Sequence, residues 1–374
     1  MSTHPDAAIA VGEVVGGVLE RLGERPDVTI AFISDEHLAS VSNIHAALRG
    51  LVGGSLIGST SSSIIGGARE VEEAPAVALW SATIDDATPV RFSMTPGQDL
   101  ISDPPTEDVI VDTESTLILV ADPYSFPVDE AIAELELRHP GLTVVGGLSS
   151  PSKGPGTVRM FFDDEITSQG AVGLVIGQGR VLSMVSQGCR PIGVPMTITA
   201  CDGNRIDSIA GQTALSQLER LFGDLTEDDQ RLVNTGLHVG RVVDERKATF
   251  DRGDFLIRAV IGADHSTGSI VIGDHVNVGD TIQFQIRDAS SAREDLRLSL
   301  WNAGAASSAL LFSCNGRGIG LFEEFDHDAG AVNERLGIDA VAGMFCAGEI
   351  GPVAHRSFVH GFTASMAFFV DDAR

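Results

Sequence analysis

Lysine is almost missing from this chain. Lys153 and Lys247 are the only two in 374 residues, so arginine carries nearly all of the positive charge. No stretch of about 18 consecutive apolar residues occurs, which excludes a conventional membrane-spanning helix. The opening Met1-Ser2-Thr3-His4-Pro5-Asp6 has neither a basic region nor an apolar one, so export through a signal peptide is not expected. Four cysteines, Cys189, Cys201, Cys314 and Cys346, lie far apart. Without a secretory signal they are expected to be free thiols in a reducing compartment, the cytoplasm. No Gly-x-Ser-x-Gly elbow, P-loop or His-Glu-x-x-His is present. Gly316-Arg317-Gly318-Ile319-Gly320 starts like a dinucleotide loop, but Leu321 stands where the third glycine belongs. No cofactor and no metal site is therefore assigned.

What is abundant is acid. The formal charge is −27, which argues against nucleic acid and anionic membranes as partners, since both are polyanions. A hydrophobic content of 43% with 21% charged residues describes a soluble globular chain with an ample core. The length suggests two domains.

One pattern recurs three times. Val28–Ile33 reads as a strand, Asp35–Arg49 as a helix, Leu51–Gly58 as a second strand and Ala76–Trp80 as a third. The second copy runs Thr116–Val120, Val128–His139, Leu142–Gly147 and Ala171–Ile176. The third runs Ser308–Ser313, Glu323–Leu336, Ala340–Phe345 and Phe362–Val370. Strand, helix, strand predicts parallel pairing. Between copies two and three, Arg180–Ser186, Met196–Cys201, Phe255–Ile261, Ser269–Ile272 and Thr281–Ile286 read as antiparallel strands, with helices over 213–222 and from 224. The expected class is α/β: two domains, 26–205 and 206–370, of mixed, largely buried sheets flanked by helices.

Two segments bring apolar strands to an abrupt stop at small residues: Leu310–Gly318, containing Phe312-Ser313-Cys314-Asn315-Gly316-Arg317-Gly318, and Val341–Pro352, ending Gly348-Glu349-Ile350-Gly351-Pro352. With Gly58-Ser59-Thr60, Gly66-Gly67, Val145-Gly146-Gly147, Ser186–Gly193, Phe255–Arg258 and Arg287-Asp288, these segments resemble the FIST family (F-box and intracellular signal transduction) over nearly the whole chain. The resemblance implies adjoining FIST N and FIST C domains. It also implies a sensory module of signal transduction for small ligands, amino acids among them. It leaves no length for an attached kinase, cyclase or F-box, so a stand-alone binding protein with a signalling partner is expected.

Gly-rich strand ends are where α/β proteins place ligands. The candidate ligand-binding set is Cys314, Asn315, Arg317, Gly343, Gly348, Glu349, Arg190 and Arg258. An arginine fork grips carboxylates, and Glu349 could accept an amino group. Equally, Glu349 could form a salt bridge to Arg317 across the two loops. Cys314 is either a packed thiol lining the pocket or a nucleophile, supported by Glu349 or His355, of a hydrolase or transferase. The Ser59–Ser63 run could offer hydroxyls to an anion or form a plain surface loop.

Overall fold

The computed structural model describes residues 1–84, 86–110, 113–177 and 179–370. The chain forms two compact units. The first is built from Met1–Val185, Leu296–Val359 and Thr363–Arg374, the second from Ser186–Asp295 and His360–Phe362. The boundary expected near residue 205 lies inside the second unit, in the strand Arg205–Ile209.

The first unit opens with helix α1 (Ala7–Leu22), followed by β1 (Val28–Ser34), α2 (Val41–Leu51), β2 (Ser55–Ser61) and β3 (Val77–Ala82). The second copy comprises β4 (Thr116–Ala121), α3 (Val128–Arg138), β5 (Thr143–Ser149) and β6 (Ala171–Ile176). The third comprises β7 (Ser308–Cys314), α4 (His327–Leu336), β8 (Val341–Val353) and β9 (Thr363–Phe369). All three copies have one topology. The first strand pairs in parallel with the second and antiparallel with the third: β1 with β2 and β3, β4 with β5 and β6, β7 with β8 and β9. The three strands of copy one lie in a five-stranded sheet completed by Met160–Phe162 and Glu165–Thr167, from the chain between β5 and β6, whereas copies two and three share a twelve-stranded sheet through antiparallel β8 and β5. Helices α1 and α2 pack Val11, Val14, Ile44 and Leu48 on Ala31 and Ile33. In the same way α3 packs Ala131 and Leu135 on Leu117 and Leu119, and α4 packs Ala329 and Val332 on Leu311. The edge-to-face pair Phe32 and Phe312, with ring centroids 6.0 Å apart, joins copies one and three.

The repeat extends to backbone detail. Gly58 faces Ala31, Gly146 faces Leu119 and Gly343 faces Leu311 in the parallel pairs. A Cβ at each glycine would lie 2.0, 1.9 and 1.8 Å, respectively, from the carbonyl oxygen opposite. Each copy therefore needs glycine at the same place, because only a residue without a side chain lets the two strands approach so closely. Gly343, expected to line a ligand pocket, has this packing role.

Several boundaries differ from the sequence reading. Copy one enters its helix through a 3-10 turn, Asp35–Ser40, and α2 continues to Leu51, so β2 begins at Ser55 rather than at Leu51. Helix α1 is absent from that reading, although Asp6 caps it by accepting from the N–H groups of Ala8 and Ile9 and Gly23 closes it. The expected Gly-rich loop after Phe345 is strand: β8 runs on to Val353. It does so past a bulge at Ala347, since Cys346 faces Ser149 while Gly348 faces Leu148. Gly147 opposite makes this possible, because a Cβ there would lie 2.3 Å from Cys346 Sγ.

The second unit is an antiparallel sheet that closes on itself. Thr281–Arg287 pairs with Met196–Asp202 on one side and with Leu237–Val242 on the other. Ile198, Ile206, Val239, Ile270, Ile272 and Phe284 fill its core. Its helices start where their caps predict: the hydroxyls of Thr213 and Thr226 accept from the N–H groups of Ser216 and Asp229. Among the described residues, no helix is long and apolar enough to cross a membrane.

Replacing Gly58, Gly146 or Gly343 with alanine is expected to cost at least about 3 kcal/mol each, as overlap with backbone cannot relax. Gly12→Ala, where a Cβ meets nothing within 4 Å in helix α1, is expected to stabilise by about 0.5–1 kcal/mol. Urea denaturation of the four variants checks both signs.

Candidate functional site

The segment after β7 is pinned first to β8 and then back on itself, so it turns sharply. Asn315 N–H donates to the carbonyl of Cys346 at 3.0 Å and Arg317 N–H to that of Cys314 at 2.8 Å. Gly316 N–H reaches Cys314 Sγ at 3.4 Å. The turn folds Arg317 inward, where it is 0% exposed. Its Nε and Nη2 each donate to Asp328 of α4 at 2.7 Å. Ser313 Oγ also donates to Asp328, at 2.7 Å, and His327 Nδ1 lies 2.8 Å from it. The guanidinium lies 5.1 Å over the Phe322 ring, which stacks on His327. The expected salt bridge from Arg317 to Glu349 is thus replaced by a bidentate pair with Asp328. The fork proposed for a ligand carboxylate is already occupied.

Electrostatics around this pair are those of a dry interior. Burial alone would raise Asp328, but the charge and hydrogen bonds of Arg317 outweigh it and hold the carboxylate well below its usual range. Glu70 lies beside the same pair and accepts from Ala329 N–H at 2.9 Å. Burial, reinforced by the Asp328 charge, pushes Glu70 up to about 8. Arg317 Nη1 and Glu70 Oε2 have no hydrogen-bond partner among the described residues.

Glu349 lies in strand, not loop, and is fully buried. Its Oε2 accepts from Thr363 N–H at 3.1 Å and Thr363 Oγ1 at 2.8 Å. Burial pushes it up to about 8, with hydrogen bonds from Thr363 and the Cys314 thiol opposing the rise. Strand residues alternate faces, so residues 346 and 349 would ordinarily point to opposite sides. The bulge at Ala347 resets that phase and brings Glu349 next to Cys346, whose thiol is raised chiefly by burial and then by this carboxyl.

At the carboxyl ends of β2, β5 and β7 lies a connected set of hydroxyls. Asn315 Nδ2 donates to Ser150 Oγ. Ser150 N–H donates to Ser61 Oγ at 3.0 Å, and Ser61 Oγ donates to the carbonyl of Phe345 at 2.8 Å. Ser59 and Ser149 share a hydrogen bond of 2.6 Å. Asn315 is exposed and Ser62 half-buried, while Cys314 lies at the rim, 8% exposed. Asp35, at the end of β1, joins them by accepting from Ser152 N–H and Oγ.

The remaining candidates lie in the second unit. Arg190 bonds Asp288 at 2.6 Å and also Asp229. Arg258 bonds Asp274 at 3.0 Å. Both are held in ion pairs. Of the eight candidates, the structure clusters Cys314, Asn315, Arg317, Gly348 and Glu349 about the ends of β7 and the bulge of β8. Asp328, Glu70, Thr363 and Ser150 belong to this cluster but were not singled out in the sequence. For Asp328, its place as an acid in the first turn of α4, past the N-cap Asp326, is the one available signal.

The raised carboxyls give a stability test. Native Glu349 keeps its proton up to about 8, whereas the unfolded chain releases it above its ordinary 4.5. The unfolded state then binds fewer protons, so stability falls as pH rises between those values. Glu349→Gln is expected to flatten part of this decline, and Glu349→Gln with Glu70→Gln most of it. Denaturation midpoints from pH 5 to 8.5 measure the slope.

The chain matches the FIST N domain model over residues 27–212 and the FIST C domain model over 214–352. It is 41% identical over 380 residues to an uncharacterized protein of Mycobacterium tuberculosis, covering 99% of this chain and 98% of that one. It is 40% identical over 379 residues to an uncharacterized protein of Mycobacterium bovis, covering 99% and 97%. FIST domains are associated with sensory signal transduction and ligand binding. With both domain models matched in tandem, this chain belongs to the FIST family.

Proposed function

We propose that this protein is a cytoplasmic small-ligand sensor whose ligand sits at the carboxyl ends of β2, β5 and β7. The observation that carries this reading is the convergence of three strand ends, one from each copy, on the hydroxyl and amide groups of Ser61, Ser150 and Asn315. Ligands in α/β sheets bind just outside such ends. Exposed Asn315 and half-buried Ser62 offer donors and acceptors to a polar ligand. Glu349, beneath the Cys314 rim, suits a protonated amine, as an amino acid carries. Such a cation would stabilise the ionised carboxyl and displace its proton, so binding would release protons near neutral pH. Arg317 contributes as the buried support of this loop, not as a carboxylate clamp.

A thermal-shift panel of free amino acids and their N-acetyl forms tests the reading. A free amino acid at about a hundredfold its Kd should stabilise by roughly 2.7 kcal/mol, and its N-acetyl form should not. Asn315→Ala should abolish the shift without lowering the unliganded Tm. A panel with no shift for the folded protein contradicts the proposal.

A cysteine-dependent hydrolase or transferase is the second reading, favoured by the position of the Cys314 thiol at the rim beside the buried Glu349. An ester-hydrolysis burst lost in Cys314→Ser would support it over the sensor.

A further inference from the structure

We propose that Cys314 and Cys346 form a dithiol that peroxide oxidises to a disulfide between β7 and β8. This inference rests on thiol geometry and is independent of the ligand reading. The two residues are directly opposite in the parallel pair β7 and β8. Paired strands run about 4.8 Å apart, within the range of about 4.4–6.8 Å that a disulfide spans between Cα atoms. Residues in register on parallel strands point to the same face. Leu310 and Phe312 of β7 share one core cluster with Ala342, Met344 and Cys346 of β8, and Cys314 continues the alternation of Leu310 and Phe312. Both thiols are reduced in this structure.

Their surroundings assign different roles. Cys314 is at the rim, 8% exposed, and precedes exposed Asn315, whereas Cys346 is 0% exposed. Gly316 N–H points at the Cys314 sulfur from 3.4 Å, and the thiol interacts electrostatically with the Arg317 guanidinium. That amide and the rim position mark Cys314 as the sulfur that peroxide reaches first. The Glu349 carboxyl lies beside both thiols. Cys346, fully buried and directly opposite Cys314, is shielded from peroxide and placed for the second, resolving step.

The chemistry balances. Cys314 sulfur attacks one oxygen of hydrogen peroxide, the O–O bond breaks, and the departing hydroxide takes up the thiol proton to leave as water. Cys314 is then a sulfenic acid. Cys346 sulfur attacks Cys314 sulfur, the S–O bond breaks, and the hydroxide leaves as a second water with the Cys346 proton. Two thiols and one peroxide give one disulfide and two waters. The bond would lock the end of β7 to β8 directly beneath the Asn315 turn. Cys201, half-buried in the second unit with its Sγ 3.4 Å from the carbonyl of Val276, is the internal control.

The test treats the reduced full-length chain with stoichiometric hydrogen peroxide, then counts thiols and maps peptides without reduction. Free thiols should fall from four to two, with one disulfide linking Cys314 and Cys346. In Cys346→Ala, which keeps the site apolar, dimedone should tag Cys314 as its sulfenic acid. In Cys314→Ser, Cys346 should stay reduced. Four surviving thiols, a disulfide through Cys189 or Cys201, or dimedone labelling of Cys201 ahead of Cys314 would each overturn the proposal.

Discussion

The buried pair between Arg317 and Asp328 is the constraint on which the motif region depends. A guanidinium cannot shed its charge, so a fully buried arginine must find an anion with matched geometry. Asp328 meets two of its N–H groups at 2.7 Å, and Ser313 and His327 bond the same carboxylate. The pair ties the turn after β7 to the first turn of α4. One cation and one ionised acid then balance, and the neighbouring Glu70 and Glu349 keep their protons near neutral pH because ionising them would bury charge without a partner. A near-neutral interior results beneath a polar rim.

Three copies of one strand topology place that rim. Each copy puts its first strand between a parallel and an antiparallel neighbour, and each needs a glycine where the parallel strands close in. Because β7 runs parallel to β8 and β5 antiparallel to it, the carboxyl ends of β7 and β5 approach from opposite directions and meet at Cys346, which faces Cys314 on one side and Ser149 on the other. The shared glycine position argues for duplication of one unit more strongly than the strand pattern alone, since generic strand–helix–strand units have no reason to fix it.

Much of this was legible in the sequence. The strand and helix positions of the copies follow from apolar runs between capping and breaking residues, and α3 shows this best, lying between Pro127 and Pro140-Gly141. Other features lacked a local signal. Gly12, Gly16 and Gly17 disguise α1, whose buried Val11, Val14 and Val15 keep helical spacing. Glycines in Val341–Val353 suggested a loop, but they serve a strand whose partner is itself glycine-rich, and pairing across strands is not visible along one segment. The partner of Arg317 was likewise hidden. Asp328 is eleven residues on, Asp326 is two before it, and only the start of α4 decides which acid turns inward.

The most direct test of the account is a double-mutant cycle on Arg317→Met and Asp328→Leu, read by urea denaturation. Either single change leaves a buried charge unpaired and should cost about 3–5 kcal/mol, while the double variant removes both charges and should recover much of that loss. A coupling of at least about 2 kcal/mol between the two sites is the predicted result. Additive losses, with no coupling, would contradict the claim that this pair holds the motif region together.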